Sequence, residues 1–407
     1  MHGRKHLFIA LSRKGWGETS LGVEVARQVR EAGGEVAFMA HSGGIPALAG
    51  TGFAVQEIPD HMVPLFEMLL DARLAEQRFD SMILCDYMTT NYTLSQSGAD
   101  PTRLLGYDLP IIALDTWEYA LTGTTIDTFG ANQWHTGTWI EQLEHRIIPA
   151  PIGRLTAPGA YCGLPPQLEL PRSVRRHIRN NLGLQNSDRA VLFCTAGWQH
   201  NIKDPDGERL SKAVPRLLWN YLGTIDQAIR LIHVGPSELS LSETGDRYLW
   251  MPSVSPRDFD RLLGSVDLFL SANISATTIG RAIVSGVPTV VVRNSHYAKT
   301  PAEAESAAGG EISSDLTEWL RTTVPLYPFS LWPLGHWHFL KPLLDANPYS
   351  DSLNVVELLD EVAFVETCRR LLFEGTAREE ATARQTEYVA QVRKLPGAVQ
   401  MIDACLQ

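Results

Sequence analysis

Residues 250–292 read WMPSVSPRDFDRLLGSVDLFLSANISATTIGRAIVSGVPTVVV. A Trp-Met-Pro turn opens the stretch, a helical segment (259–263) follows, and an apolar strand (267–270) ends at a loop of small and hydroxyl residues, 271–278. A second helix then carries the chain to Gly286-Val287-Pro288 and another apolar strand, 289–292. Strand, small loop, helix and strand in succession are the repeating pattern of a buried parallel sheet. The loop lies where a strand ends and a helix begins, and there the unpaired N–H groups and the positive end of the helix dipole favour an anion. Ser275, Thr277 and Thr278 add hydroxyl donors without blocking the approach of a diphosphate. The same residue types cap helices in any α/β protein, so the loop takes its meaning from the rest of the chain.

Outward from this stretch the pattern repeats. Continuous apolar runs at 7–11, 35–40, 81–84 and 110–114 alternate with amphipathic segments such as 20–32, and the pattern restarts at 190–194, 229–234, 267–270 and 289–292. Between the two sets, residues 149–171 are too rich in proline for a helix or a central strand. The sequence therefore predicts two Rossmann-like, doubly wound α/β domains, 1–150 and 185–350, joined by a linker at 151–184 and followed by C-terminal helices at 351–407. The aromatic and proline-dense stretch after 323 holds Trp332, Trp337 and Phe339, expected to pack at the domain interface or to wall a ligand.

Composition limits what such a chain does. Its 407 residues exceed the size at which one core stops growing, and 44% hydrophobic with 20% charged residues is the balance of a globular protein. No run of about 18 apolar residues offers an integral membrane segment. The basic start before 7–11 lacks the length and cleavage site of a secretion signal, so that run is expected to be a buried first strand. Five cysteines without CxxC spacing indicate neither zinc nor a disulfide framework, which points to the reducing cytoplasm. A net charge of −11 argues against nucleic acid as a partner.

Chemistry is expected at strand ends. The loop Ser12-Arg13-Lys14-Gly15-Trp16-Gly17-Glu18 leads from the first strand into a helix, and Glu18 at that entrance has the position of a general base for an acceptor hydroxyl or of a dipole-compensating carboxylate. Arg13, Lys14 and Trp16 surround it as candidates for acceptor or phosphate contact. Asp86 follows the strand 81–84, and Asp115 with Trp117 follows 110–114; each aspartate either orients an acceptor or caps the next helix. Thr195, Gly197 and Gln199 follow 190–194, and Gly235 follows 229–234, so with the 271–278 loop they are expected to line one cleft. Asp204-Pro205-Asp206 matches a DxD metal pattern but lies in a hydrophilic turn, and no metal is expected there. The Walker loop and GxSxG are missing, which leaves kinase and hydrolase readings without support.

Together these residues resemble the GT-B superfamily of glycosyltransferases, in which two Rossmann-like domains face a central cleft. The likeness is strongest over 229–292, where HVGP, the WMP turn, the hydroxyl loop and SGVP follow the order seen in UDP-glycosyltransferases and in the peptidoglycan N-acetylglucosaminyltransferase. The resemblance implies that Trp250 and Met251 meet the base, that Asn273, Ser275, Thr277 and Thr278 hold the diphosphate, and that Thr195, Gly197, Gln199 and Gly235 contact the donor. It implies a metal-independent transferase without cofactor that moves sugar from a nucleotide sugar to a small-molecule acceptor, with Glu18 or Asp115 as base. Two positions depart from the family: Glu18 stands where a His is common, and Arg281 stands near the place of a ribose-binding Glu. An arginine accepts no hydroxyl proton and would instead pair with a phosphate or carboxylate. The alternatives on the same scaffold are a nucleotide-sugar epimerase or hydrolase, and a non-catalytic ligand-binding protein.

Overall fold

The computed structural model describes residues 2–13, 15–130, 132–167, 170–309 and 312–407. Residues 1–125, 135–165 and 390–407 form one compact unit, and residues 126–134 and 166–389 form a second.

The first unit is built on β1 (Lys5–Ala10), β2 (Glu35–His41), β3 (Ala54–Ile58), β4 (Ser81–Leu84) and β5 (Ile111–Leu114). After a two-stranded ribbon, β6 (Thr125–Thr128) and β7 (Asn132–His135), the chain adds β8 (His145–Ala150) and β9 (Ala160–Cys162) to the sheet. The order is β3-β2-β1-β4-β5-β8-β9, with parallel neighbours. Leu7, Phe8 and Ile9 are fully buried because β1 lies mid-sheet with side chains packed on both faces. The helix Gly17–Glu31 lays Val23, Ala26 and Val29 into this core. Its Gly22 permits the close approach: a Cβ there would stand 2.2 Å from Cys85 Sγ, at the end of β4.

The second unit carries β10 (Arg189–Cys194), β11 (Ile229–Val234), β12 (Tyr248–Met251), β13 (Leu268–Ser271), β14 (Thr289–Arg293) and β15 (Asn354–Glu357). Their order is β12-β11-β10-β13-β14-β15, again parallel. In both sheets the chain starts in the middle, winds outward to one edge, then returns to the middle and winds the other way. Loops leaving β1 and β4, and those leaving β10 and β13, therefore diverge at a topological switch point, where open α/β sheets bind ligands. Below the second switch point Asp267 fastens the sheet to its helices. It accepts from Ala190 N at 2.9 Å and from Arg179 and Arg175 at 3.0 and 2.8 Å. Burial pushes the Asp267 carboxyl up, but the Ala190 N–H and the arginines outweigh it and hold the group below its usual range.

Several boundaries differ from the sequence expectation. The stretch 151–184 contains β9 and the helix Arg172–Asn181. Proline is tolerated there because Pro149 sits in the part of β8 that pairs only with the edge strand β9. The Trp-Met-Pro segment ends a strand, β12, rather than forming only a turn, and β15 lies within the stretch expected to be C-terminal helices. The last helix, Ala398–Cys405, belongs to the first unit, where Ala398 and Ile402 join the core of Phe8 and Val29. Trp332 and Phe339 are buried within the second unit, and Trp332 donates to Leu210 O at 3.0 Å. Among the described residues no helix is long and apolar enough to cross a membrane.

Candidate functional site

In the second unit the loop after β13 reaches the helix Thr277–Val284 through Ala276, which stands at the N-cap position with no side chain capping the helix. Thr277 and Thr278 occupy its first turn and are half-buried. The loop itself is held firmly. Ile274 N donates to Ser330 O at 3.0 Å, Trp332 N to Ala272 O at 3.0 Å, and Tyr349 Oη to Ile274 O at 2.6 Å. Asn273 and Ser275 are buried in it, and Asn273 Oδ1 has no hydrogen-bond partner among the described residues.

Across the switch point the loop after β10 carries Thr195 and the short turn Gly197–His200. Gln199 is buried and committed on both sides: its Oε1 accepts from Ala196 N at 2.6 Å and its Nε2 donates to Trp332 O at 3.0 Å. It thus fixes this loop to the segment that also holds the β13 loop. Gly235, after β11, passes so close that a Cβ would stand 2.2 Å from Thr195 Oγ1. At the end of β12 the Trp250 indole is 37% exposed and donates to Gly235 O at 3.0 Å, while Met251 O accepts from Gly235 N at 3.1 Å. Arg281 is turned to a protein partner, with Nη1 at 2.7 and 2.8 Å from the two oxygens of Asp260.

Sequence reasoning missed a row of polar groups here. Thr195 Oγ1 lies 2.7 Å from His200 Nε2 and 2.8 Å from His233 Nε2. His233 Nδ1 is 3.1 Å from Tyr248 Oη, and His200 Nδ1 is 2.9 Å from Ser237 Oγ. Burial, and then the neighbouring His200, drive His233 down to about 3, and burial also lowers His200. His233 stands in the apolar strand β11 and His200 in a hydrophilic loop 33 residues earlier, so only the pairing of β10 with β11 brings them to one hydroxyl.

In the first unit Ser12 Oγ is 2.9 Å from Gly15 O and 3.1 Å from Glu18 Oε2, which ties the loop after β1 to the first turn of the helix Gly17–Glu31. Trp16 takes the N-cap position of that helix without a side-chain bond. Arg13 donates to Ser97 Oγ at 2.9 Å and pairs with Asp60 at 3.1 Å; Lys14 lies outside the described residues. Asp86 caps the helix Tyr87–Gln96 through Thr89 N at 2.7 Å, and its buried Oδ1 has no hydrogen-bond partner among the described residues. Burial, and then the nearby Glu18 carboxylate, push Asp86 up to about 7. Two carboxyl groups, from the loops after β1 and β4, thus meet at the first switch point.

Asp115 is buried after β5 and accepts from Tyr119 N at 3.2 Å with each oxygen. Burial pushes it up to about 6, against the pull of that N–H and of Arg146. Trp117 is buried beside it, and Glu118 pairs with Arg154 from a left-handed backbone, φ 49°. Asp204 is a helix cap, accepting from Asp206 N and Gly207 N at 3.0 and 3.1 Å, and Asp206 pairs with Arg209. Among the described residues no group of three or more His, Cys, Asp or Glu side chains is placed to hold a metal ion.

Solved structures resemble this chain along its whole length. The spinosyn rhamnosyltransferase SpnG is 14% identical with a TM-score of 0.53, covering 99% of this chain and 100% of its own. The spinosyn forosaminyltransferase SpnP is 16% identical with a TM-score of 0.52, covering 100% of both chains. The glycosyltransferase SnogD from Streptomyces nogalater is 14% identical with a TM-score of 0.51, covering 99% and 100%. Such distant likeness speaks to fold, which is the two-unit GT-B fold. No curated protein matches the sequence. A family model described as "Family of unknown function (DUF6365)" matches residues 25–407, and this chain, with its GT-B fold, belongs to that family.

Proposed function

We propose that this protein is a metal-independent glycosyltransferase that moves a sugar from a nucleotide donor to a small-molecule acceptor. The observation that carries the reading is the uncapped start of the helix Thr277–Val284, beside the loop after β10 at the switch point of the second sheet. Its free N–H groups and the hydroxyls of Thr277 and Thr278 suit a departing diphosphate, and the exposed indole of Trp250 suits a base. SpnG has been solved with thymidine diphosphate and with the spinosyn aglycone, and HepE from Anabaena with UDP-glucose, which supports a nucleotide-sugar donor here. Asp204 and Asp206 are taken up by helix N–H groups and Arg209, which supports stabilisation of the leaving group by protein donors.

In this reaction an acceptor oxygen attacks the anomeric carbon, the bond from that carbon to the diphosphate breaks, and Glu18 takes the acceptor proton. Asp86 and Asp115 are the further carboxyl groups of the first unit that orient the acceptor. The protein's place of work in this reading is the reducing cytoplasm.

A thermal-shift screen with thymidine and uridine diphosphates and their sugars tests the donor, since a ligand at ~100 times its dissociation constant adds about 2.7 kcal/mol of stability. Turnover of the best donor then decides the reaction. A transferase releases diphosphate only with an acceptor present. Release without acceptor would make the protein a hydrolase, conversion to the epimeric sugar nucleotide an epimerase, and an unchanged bound donor a binding protein.

A further inference from the structure

The polar row at the ends of β10, β11 and β12 has a direction. Leu239 N donates to Tyr248 Oη at 3.0 Å, so Tyr248 already accepts from the main chain, and its own O–H finds an acceptor in His233 Nδ1. His233 then carries its proton on Nε2 and donates to Thr195 Oγ1, at 2.8 Å. The Thr195 O–H in turn donates to His200 Nε2, at 2.7 Å, and His200 Nδ1–H to Ser237 Oγ, at 2.9 Å. With both imidazoles neutral, this polarity gives each of these O–H and N–H groups an acceptor within the row, up to the exposed hydroxyl of Ser237.

Adding one proton to the row changes what it presents. If His200 takes a proton from water, its Nε2 becomes a donor, and Thr195 Oγ1 then accepts from both imidazoles with its two lone pairs. The Thr195 hydroxyl proton loses its acceptor and is free for a new one. A half-buried cation and a released O–H, side by side in the loop at the second switch point, are together stable only with an anion against them. Among the described residues, the polar groups in this row with His200 carry no charge to supply it: Thr195 on β10's loop, His233 on β11, Ser237 after β11, and Tyr248 on β12 beyond His233. Glu238 acts on Tyr248, at the far end of the row. Burial is the one influence that shifts His200, and it disfavours the charged form in the absence of such an anion.

We propose that His200, Thr195 and Ser237 form a proton-coupled site for the diphosphate group, in which binding the anion charges His200 and turns the Thr195 hydroxyl from its internal partner to the ligand. This deepens the reading of the second unit as a nucleotide-sugar site and rests on it. The proton taken up at binding supplies the positive charge that the leaving diphosphate requires. Gly235 is part of the device, because any side chain there would fall 2.2 Å from Thr195 Oγ1 and 2.6 Å from His233 Nε2 and break the row.

Two measurements on the intact protein test this. Calorimetry with thymidine diphosphate near pH 7.5, in buffers of different ionisation enthalpy, should show net proton uptake that falls to the ligand's own contribution in His200→Gln and Thr195→Val. Proton NMR, with the His200 ring resonance identified by its loss in His200→Gln, should show that resonance titrating at least one pH unit higher when inorganic pyrophosphate is bound. Binding of thymidine diphosphate with equal proton uptake in wild type and His200→Gln, and an unmoved His200 titration, would overturn the inference while leaving the nucleotide-sugar reading in place. Failure of every nucleoside diphosphate and of pyrophosphate to bind would remove both.

Discussion

Arg281 Nη1 reaches both carboxylate oxygens of Asp260, at 2.7 and 2.8 Å, and so joins two helices of the second unit through one guanidinium nitrogen. The side chains are 18% and 26% exposed, between a surface pair and a buried one. Arg281→Met should therefore lower the unfolding free energy by about 1–2 kcal/mol, above the ~0.2–1 kcal/mol of exposed pairs and below the ~3–5 kcal/mol of buried ones. Thymidine diphosphate affinity should stay within about twofold, because the guanidinium is already occupied. Urea midpoints and calorimetry on the same variant check this, and a tenfold loss of affinity would assign Arg281 to the nucleotide instead.

Asp86, raised to about 7 by burial and then by Glu18, makes the first unit pH-dependent in a defined sense. The folded chain holds a proton that the unfolded chain releases near 3.9, so this group's contribution falls as pH rises from about 4 to about 7 and is then flat. Asp86→Asn keeps the cap to Thr89 N, since asparagine serves equally there. Its stability relative to wild type should rise with pH across that window, by at most about 1.4 kcal/mol per pH unit. Glu18→Gln should move the wild-type window to lower pH and, as loss of the proposed base, slow turnover by roughly 10²-fold with donor affinity retained. Denaturation series from pH 4 to 8 and single-turnover rates test the two parts separately.

Thr277 and Thr278 leave the capping of their helix to no side chain, so replacing both with Val should spare the fold. The two hydroxyl donors should be missed only by ligand. Nucleotide affinity should fall by ~1–3 kcal/mol while the melting temperature of the free protein changes little. Titration calorimetry beside thermal unfolding distinguishes this from a structural role, in which the melting temperature would fall and affinity would not.

Asp267, whose side chain is 7% exposed, neutralises Arg179 at 10% exposure. Asp267→Ala leaves that guanidinium buried and unpaired and should cost ~3–5 kcal/mol, with no direct effect on the nucleotide site. The carboxyl is held below its usual range, so its stabilisation is present above about pH 4 and is lost as pH falls through its lower folded value. The stability gap between wild type and Asp267→Asn should accordingly be widest near neutrality and close on acidification below about pH 4, as urea midpoints at each pH will show.

What the sequence determined by itself is the alternation. Runs such as 7–11, 81–84, 229–234 and 289–292 are apolar without a period of two, which marks strands covered on both faces, and such strands occur in parallel sheets. Their spacing led to two doubly wound sheets, and their ends located Asp86, Asp115 and Thr195 just past strands and Glu18 and Thr277 at the starts of the helices that follow, because those positions follow directly from strand positions. Strands that lacked a long apolar run stayed hidden: β3, β8 and the ribbon β6-β7 in short or polar stretches, β9 at a proline-bearing edge, β12 behind an exposed tryptophan, and β15 among helices.

Tertiary structure alone decided the partners. Gln199 and Arg281 are polar residues in loops or on helices, and nothing local fixes whether they turn to a ligand or to the protein; the structure commits them to Trp332 O and to Asp260. The row through Thr195, His200, His233 and Tyr248 spans three separate segments and exists because β10 lies beside β11 in register, Cys194 opposite Val234, and β11 beside β12. The influence of Glu18 on Asp86 likewise depends on β1 lying beside β4. Hydrophobic periodicity is written in neighbouring residues and survives in the sequence, whereas a hydrogen bond or a shifted carboxyl depends on atoms brought together from distant positions, and only the folded sheet supplies those distances.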